Sequence, residues 1–372
     1  MPAGAKHNSY RSKRRQIDGN AAKPAFIAQF CLFFLILICS PEAIFQERVR
    51  AQSSSDQVDE VVRVETDVTN LLFTATDKQH RFVTTLGEQD IRVLEDGEPQ
   101  KILVFQHETD RPLSIAFLID VSASEERTLT EEKVAARSFI ETIIRVREDQ
   151  AAIIPFTDHA FLEQPLTSSV IDLYKALDRV DVALPSYPGS GKPIGGIASG
   201  PGVGVPQEGS TAIWDALMVS ASEVLARGPG QRRRAIILLT DGQDTSSRVK
   251  RSTAVEKAIE AETVVYAIGI GDKHFEGVNK DELSAVAEHT GGRAFFPKKE
   301  ADLAIAFEDI QRELRSQYLV AYSSTNKRRN GSYRQMRIEI TNQGLRKEQL
   351  RLRYRPGYFA KPLTRSSRQV SH

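Results

Sequence analysis

The sequence predicts an α/β fold: a doubly wound, mostly parallel sheet with helices on both faces, plus a small all-β sandwich formed by the flanking N- and C-terminal segments. Three observations predict it. Apolar strand segments alternate with helical segments through the middle of the chain. Several of these strands are apolar on both faces, which is typical of a parallel sheet covered on both sides. Short β-branched segments separated by turn residues flank this region on either side.

Residues 1–51 are predicted to be a signal peptide or membrane anchor that precedes the fold. Basic residues between Lys6 and Lys23 lead into the apolar run "AFIAQFCLFFLILIC". At about fifteen residues this run is short for a membrane-spanning helix. Ala51 offers a small residue for cleavage, so we expect an exported protein of the periplasm, cell envelope or extracellular space, or an inner-membrane protein if the segment is uncleaved. Both cysteines, Cys31 and Cys39, lie in this run, which leaves the mature chain without a thiol.

The charge balance argues against two classes of partner. The 372 residues contain 50 Lys and Arg against 49 Asp and Glu, so no net charge attracts nucleic acid or anionic lipid. We therefore expect no nucleic-acid partner, and membrane contact only through the N-terminal segment if it is uncleaved. A hydrophobic content of 40% is that of a globular protein with a buried core.

A small β segment is predicted over residues 61–110, after a polar linker over residues 52–60. Its strands include "LLFTAT", "IRVL" and "ILVF", with a turn at "DGEP" between the last two. This segment is too short to bury a core alone. We expect residues 316–360 to complete it with the strands "YLVAYSS", "YRQMRIEIT" and "LRLRYRPGYFA". Residues 361–372 are predicted to be a disordered tail.

The α/β domain is predicted over residues 111–315. It opens with the strand "LSIAFLID". The helix that follows has predicted apolar positions at Val134, Phe139, Ile143 and Ile144. Strands and helices then alternate through "AAIIPF", "VIDLYKALDRV", "TAIWDALMVSASEVLA", "RAIILLTDG", "TAVEKAIEA", "TVVYAIGIG", "DELSAVAEHT", "RAFFP" and "ADLAIAFEDIQRELRSQ". Residues 184–209 are rich in Gly and Pro and are predicted to be a flexible loop.

Oxygen-bearing side chains follow three elements of this predicted sheet. Asp120, Ser122 and Ser124 follow the first strand, Asp241 follows "AIILLT", and Thr211 lies between the flexible loop and a helix. Ligands of open α/β sheets bind outside the carboxyl ends of the strands. Carboxylates and hydroxyls without His or Cys suit Mg²⁺, or else Mn²⁺ or Ca²⁺, and do not suit zinc. The alternative is that the hydroxyls cap helices and the aspartates are ordinary turn residues.

The motifs "DVSAS", "GSTAIWDAL" and "LLTDG" resemble, in this order, the metal-ion-dependent adhesion site of a von Willebrand factor type A domain, which is Rossmann-like. The resemblance covers roughly residues 112–315 and all five ligand positions. Through "RVLEDGEPQKI" and "RYRPGYFA" the chain is also similar to the exported type A-related proteins of acidobacteria. The resemblance implies a binding protein and not an enzyme. In that family hydroxyls or water contact the ion, the aspartates often act through water, and an Asp or Glu of a protein partner completes the coordination.

Three further side chains are candidates for the surroundings of the metal or for the ligand face. Asp244 lies close to Asp241, and His159 follows another strand end, although both are also typical loop residues. Glu125, followed by another acid, stands where the family often has Gly or Met. An extra acid at this position would strengthen cation binding or repel an acidic ligand.

Two other functions stay open: a metal-dependent hydrolase, and a structural envelope scaffold whose metal site is unused. A hydrolase needs a general base and a substrate pocket. A catalytic triad needs a nucleophilic serine near a histidine, and no histidine is accompanied by a serine motif such as G-x-S-x-G. No catalytic residue is therefore predicted. The segment "GSGKP" is not a P-loop, because no strand precedes it and Pro follows the Lys. A further hypothesis is that the helix "ADLAIAFEDIQRELRSQ" slides when the metal ion exchanges its threonine ligand for water.

Overall fold

A computed structural model describes residues 68–107, 111–182, 192–195, 210–228, 232–270 and 278–362. All of them belong to one structural unit, Arg63–His372. The predicted signal or anchor and the polar linker lie outside the described residues, as do residues 363–372 and most of the predicted flexible loop. Within the described part of the chain, no helix combines the length and apolar character needed to cross a membrane.

The described strands are β1 (Val68–Thr76), β2 (Ile91–Glu95), β3 (Glu98–Gln100), β4 (Ile102–His107), β5 (Leu113–Asp120), β6 (Gln150–Phe156), β7 (Phe161–Leu162), β8 (Gln164–Thr167), β9 (Lys192–Pro193), β10 (Arg233–Thr240), β11 (Thr263–Gly269), β12 (Ala294–Phe295), β13 (Tyr318–Ser323), β14 (Tyr333–Ile340), β15 (Arg351–Tyr354) and β16 (Gly357–Phe359). The helices are α1 (Leu129–Ile143), α2 (Val170–Arg179), α3 (Ile213–Val219), α4 (Arg251–Glu260), α5 (Lys280–Thr290), α6 (Glu300–Leu314) and α7 (Gln343–Glu348). A π-helical stretch, Ser220–Leu225, continues α3.

The central sheet has the strand order β12-β11-β10-β5-β6-β8, and β8 is antiparallel to its neighbour. The other neighbouring strands are parallel. Every residue of β5 and β11 is buried, because helices cover both faces of the sheet. Helices α1, α2 and α6 pack on one face, and α3, α4 and α5 pack on the other. The predicted doubly wound architecture is confirmed.

One of the four apolar positions predicted for the first helix, Val134, differs from the structure, while Ile144 is buried as predicted. Val134 is 57% exposed, whereas Phe139 and Ile143 are buried as predicted. The buried positions of α1 recur every three or four residues, as in an amphipathic helix, and they are Leu129, Glu132, Ala135, Ala136, Phe139, Ile140 and Ile143. Val134 falls outside this stripe, so its placement on the apolar face was wrong. The stripe instead includes an acid, Glu132.

The flanking segments form two antiparallel sheets, with the strand orders β15-β1-β13-β4 and β16-β14-β2-β3. Each sheet combines strands from before and after the α/β region, since β1 pairs with β13 and β14 pairs with β2. A separate apolar core that includes Phe73, Val93, Val320 and Ile338 lies between these strands. The prediction that both flanking segments contribute to extra antiparallel sheets is confirmed.

Three details of the strands and helices differ from the prediction. The segment "LRLRYRPGYFA" forms two strands, β15 before Pro356 and β16 after it, and these two strands belong to different sheets. Helix α7 was not predicted. Two residues of the predicted flexible loop, Lys192–Pro193, form a strand that pairs with Phe161–Leu162.

Asp149 joins three elements at the amino end of the central sheet. Its side chain is fully buried and accepts the Leu113 N–H at 2.7 Å, Arg145 Nε at 3.0 Å and Arg315 Nη2 at 2.6 Å. Burial acts to raise the pKa of Asp149, but the hydrogen bonds from the two arginines and the backbone outweigh it and hold the pKa below its ordinary value. The start of β5 and the ends of α1 and α6 are therefore tied to one carboxylate.

Candidate metal centre

The carboxyl ends of β5, β6 and β10 meet at one edge of the central sheet. In the parallel register, Ile119 lies opposite Leu239, and Asp120 lies opposite Phe156. The chain leaves β5 after Asp120 and leaves β10 after Thr240, so Asp241 follows directly at the same edge. The pairing of strands thus brings together two aspartates that are about 120 residues apart in the sequence.

Hydrogen bonds fix the first aspartate and the two serines. Asp120 is fully buried. Its Oδ1 accepts the Ser122 N–H at 3.0 Å, and its Oδ2 accepts Thr240 Oγ1 at 2.6 Å. The hydroxyls of Ser122 and Ser124 lie 3.0 Å apart. Both serine hydroxyls and the Asp120 carboxylate therefore form one connected group at the end of β5.

Thr211 is held by the loop that follows Asp241. The Thr211 N–H donates to Thr245 Oγ1 at 2.8 Å, and its carbonyl accepts the N–H groups of Thr245 at 2.9 Å and Ser246 at 3.1 Å. The next residue, Ala212, donates its N–H to the Thr157 carbonyl at 2.7 Å, just beyond β6. Thr211 is 4% exposed. The elements that carry Thr211 and Asp241 are therefore bonded to each other at this edge.

Three carboxylates converge at the same edge. Asp120, Glu125 and Asp241 each place one carboxylate oxygen within 4.8 Å of the others, and all three residues are buried. Ligand oxygens on opposite sides of one Mg²⁺ or Ca²⁺ lie about 4 to 5 Å apart. The three acids are thus close enough to contact a single divalent ion, and the neighbouring donors are hydroxyl oxygens. The residues present fit a divalent cation that prefers oxygen.

The acids of this cluster are electrostatically unfavourable without a cation. Burial raises the pKa of Asp120 from 3.8 to about 6, against hydrogen bonds from Thr240 and Ser122 that lower it. Burial, with the charges of Glu132 and Asp120, raises the pKa of Glu125 from 4.5 to about 10. Burial also raises the pKa of Glu132, from 4.5 to about 8. A bound divalent ion would stabilise the ionised forms of these acids.

The remaining candidates differ in their surroundings. Asp244 accepts the N–H of Ile213 at 2.8 Å and a hydrogen bond from Ser247, so it caps the start of α3 and positions the residues after Thr211. His159 is partly buried in the turn after β6, and its Nε2 lies 3.9 Å from Asp158. The third candidate, Glu125, belongs to the carboxylate cluster itself.

Two residues of this site were missed by the sequence analysis. Thr240 donates to Asp120, and its Oγ1 also accepts the Gly242 N–H at 3.1 Å. The "LLTDG" motif contains Thr240, but its spacing does not show which way a residue at the end of a strand points. Glu132 lies on the buried stripe of α1, so an acid at an apolar helical position was the available signal.

A central sheet with parallel strands, covered by helices on both faces, defines the class of open α/β proteins, which bind their ligands at the carboxyl edge of the sheet, where the oxygen-donor cluster lies. Family models described as the von Willebrand factor type A domain match residues 115–243 and 203–313. The chain is a member of the von Willebrand factor type A domain family. No curated protein matches the sequence significantly.

Several solved structures are similar to the chain. Proximal thread matrix protein 1 from the mussel byssus is 22% identical, with a TM-score of 0.45 over 59% of this chain and 51% of that chain. Another structure of the same mussel protein has a zinc-occupied MIDAS (metal-ion-dependent adhesion site) motif, with a TM-score of 0.45 over 59% of this chain and 50% of that chain. A von Willebrand factor type A protein from Catenulispora acidiphila is 14% identical, with a TM-score of 0.44 over 76% of this chain and 72% of that chain. The chain spans about half the length of the mussel protein, and similarities of this size carry no information about its ligand.

The raised pKa values predict that the protein loses stability as the pH rises when EDTA is present. Between pH 4 and 8 the unfolded chain ionises Asp120 at its ordinary pKa of 3.8, whereas the folded chain holds the proton up to about pH 6. The folded state then binds more protons, so the free energy of unfolding falls with rising pH, by about 3 kcal/mol for this residue. Thermal melts at several pH values, with EDTA and with MgCl₂ or CaCl₂, measure the effect.

The divalent ion should reduce this fall, so the stabilisation that the ion gives should grow from pH 5 to pH 8. Comparing the two series at each pH cancels the contributions of acids elsewhere, including Asp149. If the difference between metal and EDTA does not change with pH, the buried acids are not linked to ion binding.

Proposed function

We propose that the chain is an exported binding protein that recognises a protein partner through a divalent ion. Asp120, Ser122, Ser124, Thr211 and Asp241 would hold the ion, and an Asp or Glu of the partner would complete the coordination. The observation that carries the proposal is the convergence of these elements at the carboxyl edge of the sheet, with buried carboxylates within 4.8 Å of one another. Membership of the type A domain family supports the same function.

The donor set supports Mg²⁺, Mn²⁺ or Ca²⁺ as the ion. Carboxylate and hydroxyl oxygens are the ligands that these ions prefer, and neutral hydroxyls leave the ion able to attract a further carboxylate. The partner therefore needs an exposed acidic side chain that can reach the edge of the sheet. A partner without such a side chain would not complete the coordination.

The surroundings of the site favour a protein partner over a small substrate. A cavity of about 930 Å³ is present, but it is lined by residues such as Arg81, Arg312 and Arg353 and includes none of the proposed ligands. Ser124 is only partly buried, so solvent reaches the site at Ser124, whereas the other proposed ligands are buried. An accessible site at an edge suits a side chain presented by another protein, whereas a hydrolase needs a substrate pocket and a general base.

Export is the other half of the proposal, and it is based on the sequence alone. Basic residues precede an apolar run of about fifteen residues. The predicted cleavage site, after Ala51, lies beyond the end of this run. N-terminal sequencing of the protein recovered from the cell envelope tests it. A mature chain that begins at Gln52 would fit cleavage, and recovery in the cytoplasmic fraction would contradict export.

Partner capture should depend on both the ion and Ser124. Ser124→Ala removes one proposed ligand, and the one hydrogen bond that Ser124 Oγ makes among the described residues is with Ser122, so we expect the fold to be retained. Immobilised wild-type protein should capture a partner from envelope extract with MgCl₂ or CaCl₂, and the capture should fall at least about tenfold in EDTA or with Ser124→Ala.

The matched control is Ser252→Ala, which removes an exposed serine hydroxyl on α4. This variant should capture the partner as the wild type does. Capture that survives both EDTA and Ser124→Ala would contradict recognition through the ion.

A further inference from the structure

Glu125 is not one of the five predicted ligands, but it is the third acid of the carboxylate cluster. We propose that Glu125 coordinates the divalent ion directly, and that the site therefore prefers Ca²⁺ to Mg²⁺. This inference rests on the proposed function, because it concerns the same ion. It goes further, because it adds a ligand that the five-residue pattern lacks and identifies the ion.

The backbone turns Glu125 into the site. Ala123–Glu125 form a single 3₁₀ turn, in which the Glu125 N–H donates to the Ser122 carbonyl at 3.0 Å. This turn follows the two serines directly and places the Glu125 side chain, which is fully buried, beside Asp120 and Asp241. An ordinary surface acid at this position would extend into solvent, as the exposed Glu126 does.

The two carboxylate oxygens of Glu125 differ in their hydrogen bonding to the part of the chain that the structure describes. Its Oε2 accepts Thr128 Oγ1 at 2.7 Å, whereas its Oε1 is buried and has no hydrogen-bond partner among the described residues. Neither Glu125 nor Asp120 forms an ion pair with a described Lys, Arg or His. Buried carboxylate oxygens are nearly always bonded to a donor or a cation. Glu125 and the carboxylates of Asp120 and Asp241 are close enough together to contact one cation.

When it is ionised, Glu132 adds to the negative charge behind Glu125. It is 1% exposed on α1 and lies beside Glu125 and Thr128, and no other described residue donates a hydrogen bond to its carboxylate oxygens. Its charge is the strongest acting on Glu125. Two buried, incompletely bonded acids next to two aspartates would repel each other strongly in an apolar core. A divalent ion within reach of the first acid offsets this repulsion.

The number of ligands favours Ca²⁺. With Glu125, six side chains supply oxygens: Asp120, Ser122, Ser124, Glu125, Thr211 and Asp241. Mg²⁺ accepts six ligands in a strict octahedron, and it usually keeps several waters and binds one or two carboxylates. Ca²⁺ accepts six to eight ligands and tolerates several carboxylates. Only the larger ion then keeps a position for the carboxylate of a partner.

The test is calorimetric titration of the purified, metal-free protein with CaCl₂ and, separately, with MgCl₂. Wild-type protein should bind Ca²⁺ at least about tenfold more tightly than Mg²⁺. Glu125→Gln keeps the size of the side chain and the Thr128 hydrogen bond, but it lowers the charge. This variant should lose at least about tenfold in Ca²⁺ affinity and little in Mg²⁺ affinity. The matched control, Glu126→Gln, removes the same charge from an exposed neighbour and should bind both ions as the wild type does.

Terbium luminescence gives a second measurement, because its lifetimes in H₂O and D₂O count the waters bound to the ion. Glu125→Gln should show about one more bound water than the wild type, in line with the loss of one protein ligand. Unchanged affinities and water count in Glu125→Gln would overturn the inference and leave the five-residue site intact. If wild-type protein binds neither Ca²⁺ nor Mg²⁺, the proposed function itself fails. Melts in EDTA verify that each variant is folded.

Discussion

Asp120→Asn should abolish high-affinity binding of the divalent ion, with a loss of about 100-fold or more, and leave the fold intact. The carboxylate lies at the centre of the site, where it accepts the Ser122 N–H and Thr240 Oγ1 and lies within 4.8 Å of two other carboxylates. The amide is nearly the same size and can still accept the Ser122 N–H, but it no longer attracts a cation. A change in groups that only orient metal ligands costs 10–100-fold, so loss of this charge should reach or exceed the top of that range.

Titration calorimetry and thermal melts should be read together for this variant. Because the folded protein pays for a buried charge at Asp120, Asp120→Asn in EDTA at pH 8 should melt at the same temperature as the wild type or higher. Asp178→Asn, which removes an exposed carboxylate that pairs with Arg137, is the control for a general charge effect. If Asp120→Asn keeps wild-type affinity for both Ca²⁺ and Mg²⁺, the candidate metal centre is not a metal site.

Asp149→Ala should lower the free energy of unfolding by about 3–5 kcal/mol, the usual cost of removing one partner from a buried ion pair. The change leaves the buried Leu113 N–H and the partly buried Arg145 and Arg315 side chains without their shared acceptor. Urea denaturation followed by the fluorescence of Trp214, the single tryptophan, measures the loss. Trp214 is 6% exposed, so its emission should change on unfolding.

The pH dependence of this variant has the opposite sign from that of the metal centre. The pKa of Asp149 lies below its ordinary value, so the stability it contributes is present near neutral pH and is lost as the pH falls through its folded pKa. The difference between wild type and Asp149→Ala should therefore shrink in acid. A difference below about 1 kcal/mol at pH 7 would show that Asp149 does not hold these elements together.

The pattern of alternating apolar strands and helices was sufficient to predict the central sheet and the helices on both faces. It also predicted that oxygen donors at the ends of different strands would lie at one edge, because parallel strands share their carboxyl ends. The pattern placed Val134 wrongly, since a single apolar residue on the exposed side of α1 does not alter the phase of the buried stripe. Helix phase depends on all the buried positions together.

The details of the metal centre could not be predicted, because they depend on contacts between distant residues. The bond from Thr240 to Asp120 crosses 120 residues, and it exists because β5 and β10 are neighbours in the sheet. The direction of Glu125 depends on a 3₁₀ turn, which the sequence "SASEER" does not specify. The assignment of β15 and β16 to different sheets likewise depends on tertiary pairing across the chain.

The pairing of β4 with β13 has a mechanical consequence. Tyr318, the first residue of β13, lies opposite His107, the last residue of β4, so the chain leaves and re-enters the flanking sheets at adjacent points. The α/β domain is therefore a side branch whose two ends lie close together. Because β1 and β15 are antiparallel neighbours, tension between the start of β1 and the end of β15 would act on the flanking sheets first and would peel these two strands apart. The ion-binding edge lies on the side branch, outside the pair of strands that would bear this load first.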